Sequence, residues 1–343
     1  MKRIITATLS AIVAISCCGG GDNMPKTLPA PVYSDPGYTG SCDPEVVWNE
    51  RDSRWYMFYT GRRPARGIAS TCGNPIGVAS SSDMLNWNFE GYCRFDGVGG
   101  EKNSAQTFWA PGVIIDGDEA HMFVTHKPDS VAPWGTGGAI AHYKTSTNDL
   151  VDGWRSLEVT IDEDNCLDAS VVKLSNGKFR LYYVGGKNNK ETKGRKTIRY
   201  AESTNLSDWE IKGNVLGDVN DVSITKHGYQ EGVYVFEQDG YFYMIADPHK
   251  GLTTFSSKDG VEWKYIGKIL IGGTSKRTLD WSQGRHPSVV VRDGRAYIYY
   301  HVEPFRPDGA RSVDIQPHQR YAFVQIAELI CSPDKIEVVG RGE

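Results

Sequence analysis

The sequence predicts an all-β protein, a five-bladed β-propeller with four antiparallel strands in each blade. Three observations carry that expectation. A hairpin-like unit recurs five times along the chain, and a second, Trp-bearing unit follows each of the first four copies. No stretch carries a helix of consequence. The composition agrees: 38 glycines and 11% aromatic residues in 343 suit a turn-rich β protein, and 39% hydrophobic residues argue against disorder.

The first segment is not part of the fold. Lys2 and Arg3 precede an apolar run, Ile4 to Ile15, too short to span a bilayer as a mature helix. Residues 1–17 therefore read as an export signal. Its end, "AISCC", is similar to a bacterial lipobox with Cys17 as the lipidated residue; a plain cleaved signal peptide is the alternative. Either way the chain is expected to be exported, to the periplasm or outer membrane, touching a membrane only through that anchor. Residues 18–30, opening "CGGGDN", read as a flexible tether, and residues 31–343 as the propeller.

Each repeat then follows in order. The inner hairpins are "DPEVVWNERDSRWYMFYTG" from 43, "APGVIIDGDEAHMFVTH" from 110, "DASVVKLSNGKFRLYYVGG" from 168, "EGVYVFEQDGYFYMIAD" from 231 and "HPSVVVRDGRAYIYYHV" from 286. Their Asn-Gly, Asp-Gly and polar turns are hairpin chemistry. The outer units are "VASSSDMLNWNFEG", "YKTSTNDLVDGWRSL", "YAESTNLSDWEIKG" and "TFSSKDGVEWKYIG", with "IAELICSPDKIEVVG" as a worn fifth. A repeat of about 55–65 residues holding four strands is the signature of a propeller. Trp87, Trp154, Trp209 and Trp263 open the fourth strands and read as packing between blades.

In a propeller the innermost strands line a central channel, and the residues that start them ring one mouth. Aligning the copies puts Asp43, Ala110, Asp168, Glu231 and His286 in that ring. Taken singly, each acid passes as a turn former, a strand cap or surface. Three carboxylates in one pocket raise one another's pKa and cost stability, which points to function.

These residues carry a resemblance. The sequence resembles the family 43 glycoside hydrolases and their five-bladed relatives through Asp43-Pro44, Trp109-Ala110-Pro111, Leu167-Asp168-Ala169-Ser170, Glu231-Gly232 and Gly284-Arg285-His286, in order over roughly residues 30–340. Gly112 and Val233 depart from the family pattern. The resemblance implies inverting hydrolysis, with two carboxyls about 6.5–9.5 Å apart so that a water fits opposite the leaving group. It makes Asp43 the general base, Glu231 the general acid and Asp168 the carboxylate that raises the acid's pKa. It gives His286 a place near a central cation, a channel Ca²⁺, directly or through water. Arg320 falls where relatives place an arginine against the substrate.

The substrate expected is an oligosaccharide or polysaccharide fragment of plant origin, cleaved at arabinofuranosyl or xylosyl residues by an exo-acting enzyme. Another sugar, galactosyl or an uncommon pectic one, and a non-catalytic glycan-binding lipoprotein are the alternatives. The loops between second and third strands hold 13 Lys and Arg against 6 Asp and Glu, inside a chain of net charge −4. Such a rim would attract an anionic glycan; solvated loop charge is the bland explanation. The overall charge gives no reason to expect nucleic acid. Trp109 and Trp134 are candidate sugar-stacking rings. The seven cysteines include no Cys-x-x-Cys pair, which disfavours zinc, and Cys72 and Cys93 are candidates for a disulfide.

Overall fold

The computed structural model describes residues 24–25, 27–96, 106–127, 138–161, 165–185, 197–215, 230–273 and 275–341. The signal segment, Cys17, most of the tether and Trp134 lie outside the described residues.

Twenty strands form five separate four-stranded antiparallel sheets, each built from consecutive strands. Blade one is β1 (Ser41–Asn49), β2 (Arg54–Gly61), β3 (Ile76–Ser81) and β4 (Asn88–Tyr92). Blade two is β5 (Thr107–Asp116), β6 (Glu119–Lys127), β7 (Ala139–Ser146) and β8 (Arg155–Ile161). Blade three is β9 (Leu167–Lys173), β10 (Phe179–Gly185), β11 (Thr197–Ser203) and β12 (Glu210–Asn214). Blade four is β13 (Glu231–Gln238), β14 (Tyr241–Asp247), β15 (Leu252–Ser257) and β16 (Lys264–Ile269). Blade five is β17 (Arg285–Arg292), β18 (Arg295–Val302), β19 (Phe323–Ser332) and β20 (Lys335–Val339). Helix among the described residues is limited to short 3₁₀ segments such as Pro64–Thr71 and Pro317–Arg320. The Asp-Gly hairpins close as expected: Asp239 and Gly240 have φ of 52° and 72°, Asp293 and Gly294 51° and 76°, as a type I′ turn requires.

Apolar side chains on both faces of each sheet must be covered by the next sheet. The result is five hydrophobic clusters, each shared by two neighbouring blades. The four repeat tryptophans sit at these seams. Each meets an aromatic ring of the preceding blade edge-on: Trp87 on Tyr299 (6.0 Å, 87°), Trp154 on Phe58 (5.8 Å, 83°), Trp209 on Phe123 (5.3 Å, 86°) and Trp263 on Tyr182 (6.1 Å, 77°). That geometry sets the positive ring edge against a negative face. Three of the indole N–H groups donate to a carbonyl three or four residues back, at Met84, Leu150 and Leu206. One side chain thus closes its own turn and the blade seam together.

Ring closure uses the segment before β1. Val32 and Tyr33 pair with Val324 at the start of β19, with Val32 N–H donating to Val324 O at 2.9 Å and Val324 N–H to Tyr33 O at 3.0 Å. The N-terminal segment thereby supplies an outer partner to blade five where β20 does not reach. Leu28, inside the expected tether, is buried in the seam between blades one and five, and the Arg277 guanidinium donates to Pro29 O at 2.7 Å. Packing therefore begins before residue 31.

Cys72 and Cys93 are not joined by a disulfide, so the expected bridge is not formed. Cys93 is fully buried at the seam of blades one and two, its thiol directed at Leu150 O, while Cys72 ends the 3₁₀ turn of the adjoining loop.

Trp154 is fully buried, so replacing it by alanine opens a cavity in one seam. We expect Trp154→Ala to lower the unfolding free energy by about 3–5 kcal/mol, read from urea titration, with the exposed Val313→Ala within about 0.5 kcal/mol of wild type as control.

Candidate active site

Every inner strand opens with the same irregularity. The register of each inner strand slips by one residue near its start, between Cys42 and Glu45, Trp109 and Pro111, Leu167 and Ser170, Glu231 and Tyr234, and Arg285 and Ser288. The bulged residue is left-handed in all five blades: Asp43 (φ 51°), Ala110 (42°), Asp168 (57°), Gly232 (55°) and His286 (38°). Four of these are not glycine, and a left-handed L-residue stores strain that the surroundings must offset.

Neighbouring blades supply the offset. The N–H of Ala110 donates to the Thr60 hydroxyl at 2.8 Å, that of Asp168 to Thr125 at 2.9 Å, and that of Asp43 to His301 Nδ1 at 3.1 Å. In blade four the Gly232 N–H donates to Asp168 Oδ2 at 2.8 Å. Four of the five bulges are thereby tied to the blade before them.

This geometry corrects the alignment of the copies. The ring position of blade four is Gly232, and Glu231 stands one residue earlier. Its longer side chain still reaches the ring, so Asp168, Glu231 and His286 bring ligand-type atoms within 4.8 Å of one another. Gly232 is needed there: a Cβ would lie 2.7 Å from the His286 ring. Gly112, the departure in blade two, is likewise explained by packing, since a Cβ would approach Ala169 O to 2.2 Å. The ring residues line a small polar cavity together with Glu45 and Tyr234.

His286 is the centre of the charge pattern. Its Nδ1 lies 3.1 Å from Asp43 Oδ1 and its Nε2 3.3 Å from Glu231 Oε1. Burial alone would lower its pKa, but the carboxyls of Asp43, Asp168 and Glu231 outweigh it and raise it to about 10. Burial would raise Asp43, and the cations of His286 and Arg62 hold it below the usual range instead. Burial raises Asp168 to about 7, with the Glu231 charge adding and His286 and the Gly232 N–H opposing. At Glu231 burial is outweighed by the hydrogen bond and charge of His286, then by His249 and Arg285, to about 2. In the substrate-free site, then, Asp43 is held low and His286 high, and the coupled pair Asp168–Glu231 is split, with Asp168 raised and Glu231 lowered, so that a proton kept by the pair sits on Asp168.

The residues that would hold a channel Ca²⁺ or its waters are Asp168, Glu231 and His286, whose ligand-type atoms lie within 4.8 Å of one another. Buried Asp43 Oδ1 and His286 Nδ1 lack a hydrogen bond of good geometry, so the donor set fits such a group.

The other expected residues are less central. Arg320 is buried, its Nη1 3.5 Å from Ser70 Oγ, in the field of Glu303, Arg306 and Arg62. Trp109 donates from Nε1 to Thr71 O at 2.7 Å and carries Lys127 Nζ 5.1 Å above its ring, so one face is already covered. Trp134 and the basic loop 186–196 lie outside the described residues. Of the three arginines in loop 60–76, Arg62 reaches the ring's charges, while Arg63 stacks on Tyr38 and Arg66 donates to Cys72 O.

Sequence reading missed six residues. His301, fully buried, replaces in blade five the threonine that blades one and two use as acceptor. Its place at the end of the second strand was visible in the aligned repeats. Arg285 and Arg62 flank Glu303 at 3.4 Å each. His249 Nε2 stands 3.6 Å from Glu231. Glu45 is a buried channel acid whose pKa burial raises well above normal.

The sequence profile described as "Glycosyl hydrolases family 43" matches residues 35–319. The chain belongs to glycoside hydrolase family 43. Among solved structures, a thermostable family 43 glycoside hydrolase superposes with a TM-score of 0.65 at 21% identity, covering 91% of this chain and 97% of that one. A family 43 β-xylosidase/α-arabinofuranosidase from a compost microbial metagenome, in complex with xylotriose and calcium-free, gives 0.64 at 14% identity, covering 90% and 96%. A levanbiose-producing levanase of Geobacillus stearothermophilus is 21% identical over 309 residues, 86% of this chain and 70% of its own. At these identities the likenesses show the shared propeller; the family assignment rests on the profile.

Family membership leaves the His286 charge as a testable property of this chain. Its folded pKa lies above the unfolded value of about 6.5. Its contribution to stability is therefore complete below about pH 6.5 and is lost as pH rises toward 10. We expect urea-unfolding free energies to fall across that window in the wild type. In His286→Asn the fall is expected to be shallower from a lower starting stability, and an unchanged slope would refute the assignment.

Proposed function

We propose that the protein is an inverting, exo-acting glycosidase that removes arabinofuranosyl or xylosyl residues from plant polysaccharide fragments. The observation that carries the inverting reading is the placement of Asp43 and Glu231 on opposite nitrogens of one imidazole. An imidazole and two contact lengths between the oxygens hold the carboxyls at the wide separation of an inverting pair, about 6.5–9.5 Å, rather than at the short one of a retaining pair. Asp43, kept ionised by His286 and Arg62, takes the proton of that water. Glu231 protonates the leaving oxygen.

Glu231 is ionised in the empty site, so it must gain the proton that Asp168 holds. Its side chain is 17% exposed there. A bound sugar removes that remaining water, which disfavours the carboxylate and draws the shared proton from Asp168 to Glu231. Asp168, left charged, keeps the Gly232 N–H as its donor. His286 stays protonated throughout and prevents Asp43 and Glu231 from repelling each other out of position. No step in this reading passes through a cation. Arg320 and Trp109 are read as substrate-side wall, and the export signal as delivery to the periplasm or outer membrane.

Product analysis tests the reading. Proton NMR of the first turnover on xylo- and arabino-oligosaccharides is expected to show the inverted anomer. Asp43→Asn and Glu231→Gln should each lower kcat/KM by about 10²–10⁴-fold. Retention of configuration, or wild-type rates in either variant, would rule the assignment out.

A further inference from the structure

Two large aromatic rings stand open at the rim outside the acid ring. Trp281 is 44% and Phe305 41% exposed, with ring centroids 6.3 Å apart at 73°. Single exposed aromatics need no explanation, but an adjacent pair makes a contiguous apolar surface. This pair is also held rigid. The Trp281 indole donates to Pro304 O at 2.8 Å, joining the two rim loops. Its carbonyl accepts the Gly273 N–H at 2.7 Å. The preceding Asp280 is fully buried, with Arg341 Nε at 3.1 Å and the Tyr300 hydroxyl at 3.0 Å. Phe305 is backed by Phe323, edge-on at 6.5 Å. An exposed ring that cannot turn away is a preorganised surface.

Its place in the fold indicates what it meets. Trp281 lies in the connection from β16 to β17, which delivers the chain into Arg285 and His286. Phe305 follows Glu303, whose carboxyl takes Arg285 and Arg62. Glu231, the acid beside the leaving oxygen, belongs to blade four, so a leaving group departs over the blade four to five wall.

We propose that Trp281 and Phe305 form a stacking platform for a sugar ring on the leaving-group side of the scissile bond, an outer subsite for a glycan chain. The inference rests on the hydrolase reading for its direction. The flat rings suit the apolar C–H face of a pyranose or furanose, and the polar rim suits its hydroxyls. The platform makes chain length, not only the terminal sugar, a determinant of rate.

The test compares substrates with and without a sugar in that position. In Trp281→Ala, kcat/KM on xylo- or arabino-oligosaccharides longer than a disaccharide should fall about five- to tenfold, through KM. On the matching glycosyl fluoride, whose leaving group has no ring, it should be unchanged, and Trp281→Phe should restore most of the loss. Equal losses on both substrates, or none on either, overturns the platform. Calorimetric binding of xylan and arabinan hexasaccharides gives a readout independent of turnover. Weaker binding in Trp281→Ala by the same factor supports the platform, and unchanged affinity, or no binding by the wild type, overturns it. A wild type that binds a hexasaccharide but cleaves nothing overturns the hydrolase reading and leaves the platform standing.

Discussion

The left-handed bulge at the head of each inner strand is the constraint on which the site depends. A regular strand would alternate its side chains between the two faces of the blade. The bulge re-aims one residue per blade toward the channel mouth, and there the ring of Asp43, Asp168 and His286 assembles. Its strain is shared around the molecule, because each of the tied bulges donates its N–H to the blade before it. The site is therefore a property of the closed ring of blades, and no single blade contains it.

Closing the ring is left to side chains and to the N-terminal segment. Among the described residues each sheet is built from consecutive strands, so the seams rely on apolar burial and on the edge-on tryptophans. The charges in the mouth work against this closure. Asp43, Glu231 and Asp168 could not share so small a volume without a cation between them, and His286 supplies it from the last blade. The same imidazolium that permits the cluster also divides its protons, keeping Asp43 charged and forcing one proton onto the Asp168–Glu231 pair.

Much of this was legible in the residues. The repeat of hairpin and Trp unit gave five blades of four strands, and the seam role of Trp87, Trp154, Trp209 and Trp263 followed from their equal phase. The heads of the copies gave Asp43, Asp168 and His286 at their true positions. Glu231 was assigned one residue out of phase, because an alignment of strands with no register cannot see which residue a bulge leaves unpaired. His301 went unnoticed since a histidine in place of threonine at a strand end carries no signal until the partner N–H of Asp43 is known. The Cys72–Cys93 bridge failed for a related reason: proximity of loops on one face does not bring two Cβ atoms within bonding geometry.

What the sequence determined by itself is the architecture and the inventory, since periodicity, turn chemistry and residue type are local properties that repetition makes readable. What only the tertiary structure decided is the state of that inventory. Which acid holds the proton, why Gly112 and Gly232 must be glycine, and where Trp281 stands relative to Phe305 all depend on distances between residues far apart in the chain. Those distances are set when the last blade meets the first, because electrostatic and steric energies depend on separation in space and not on order in sequence.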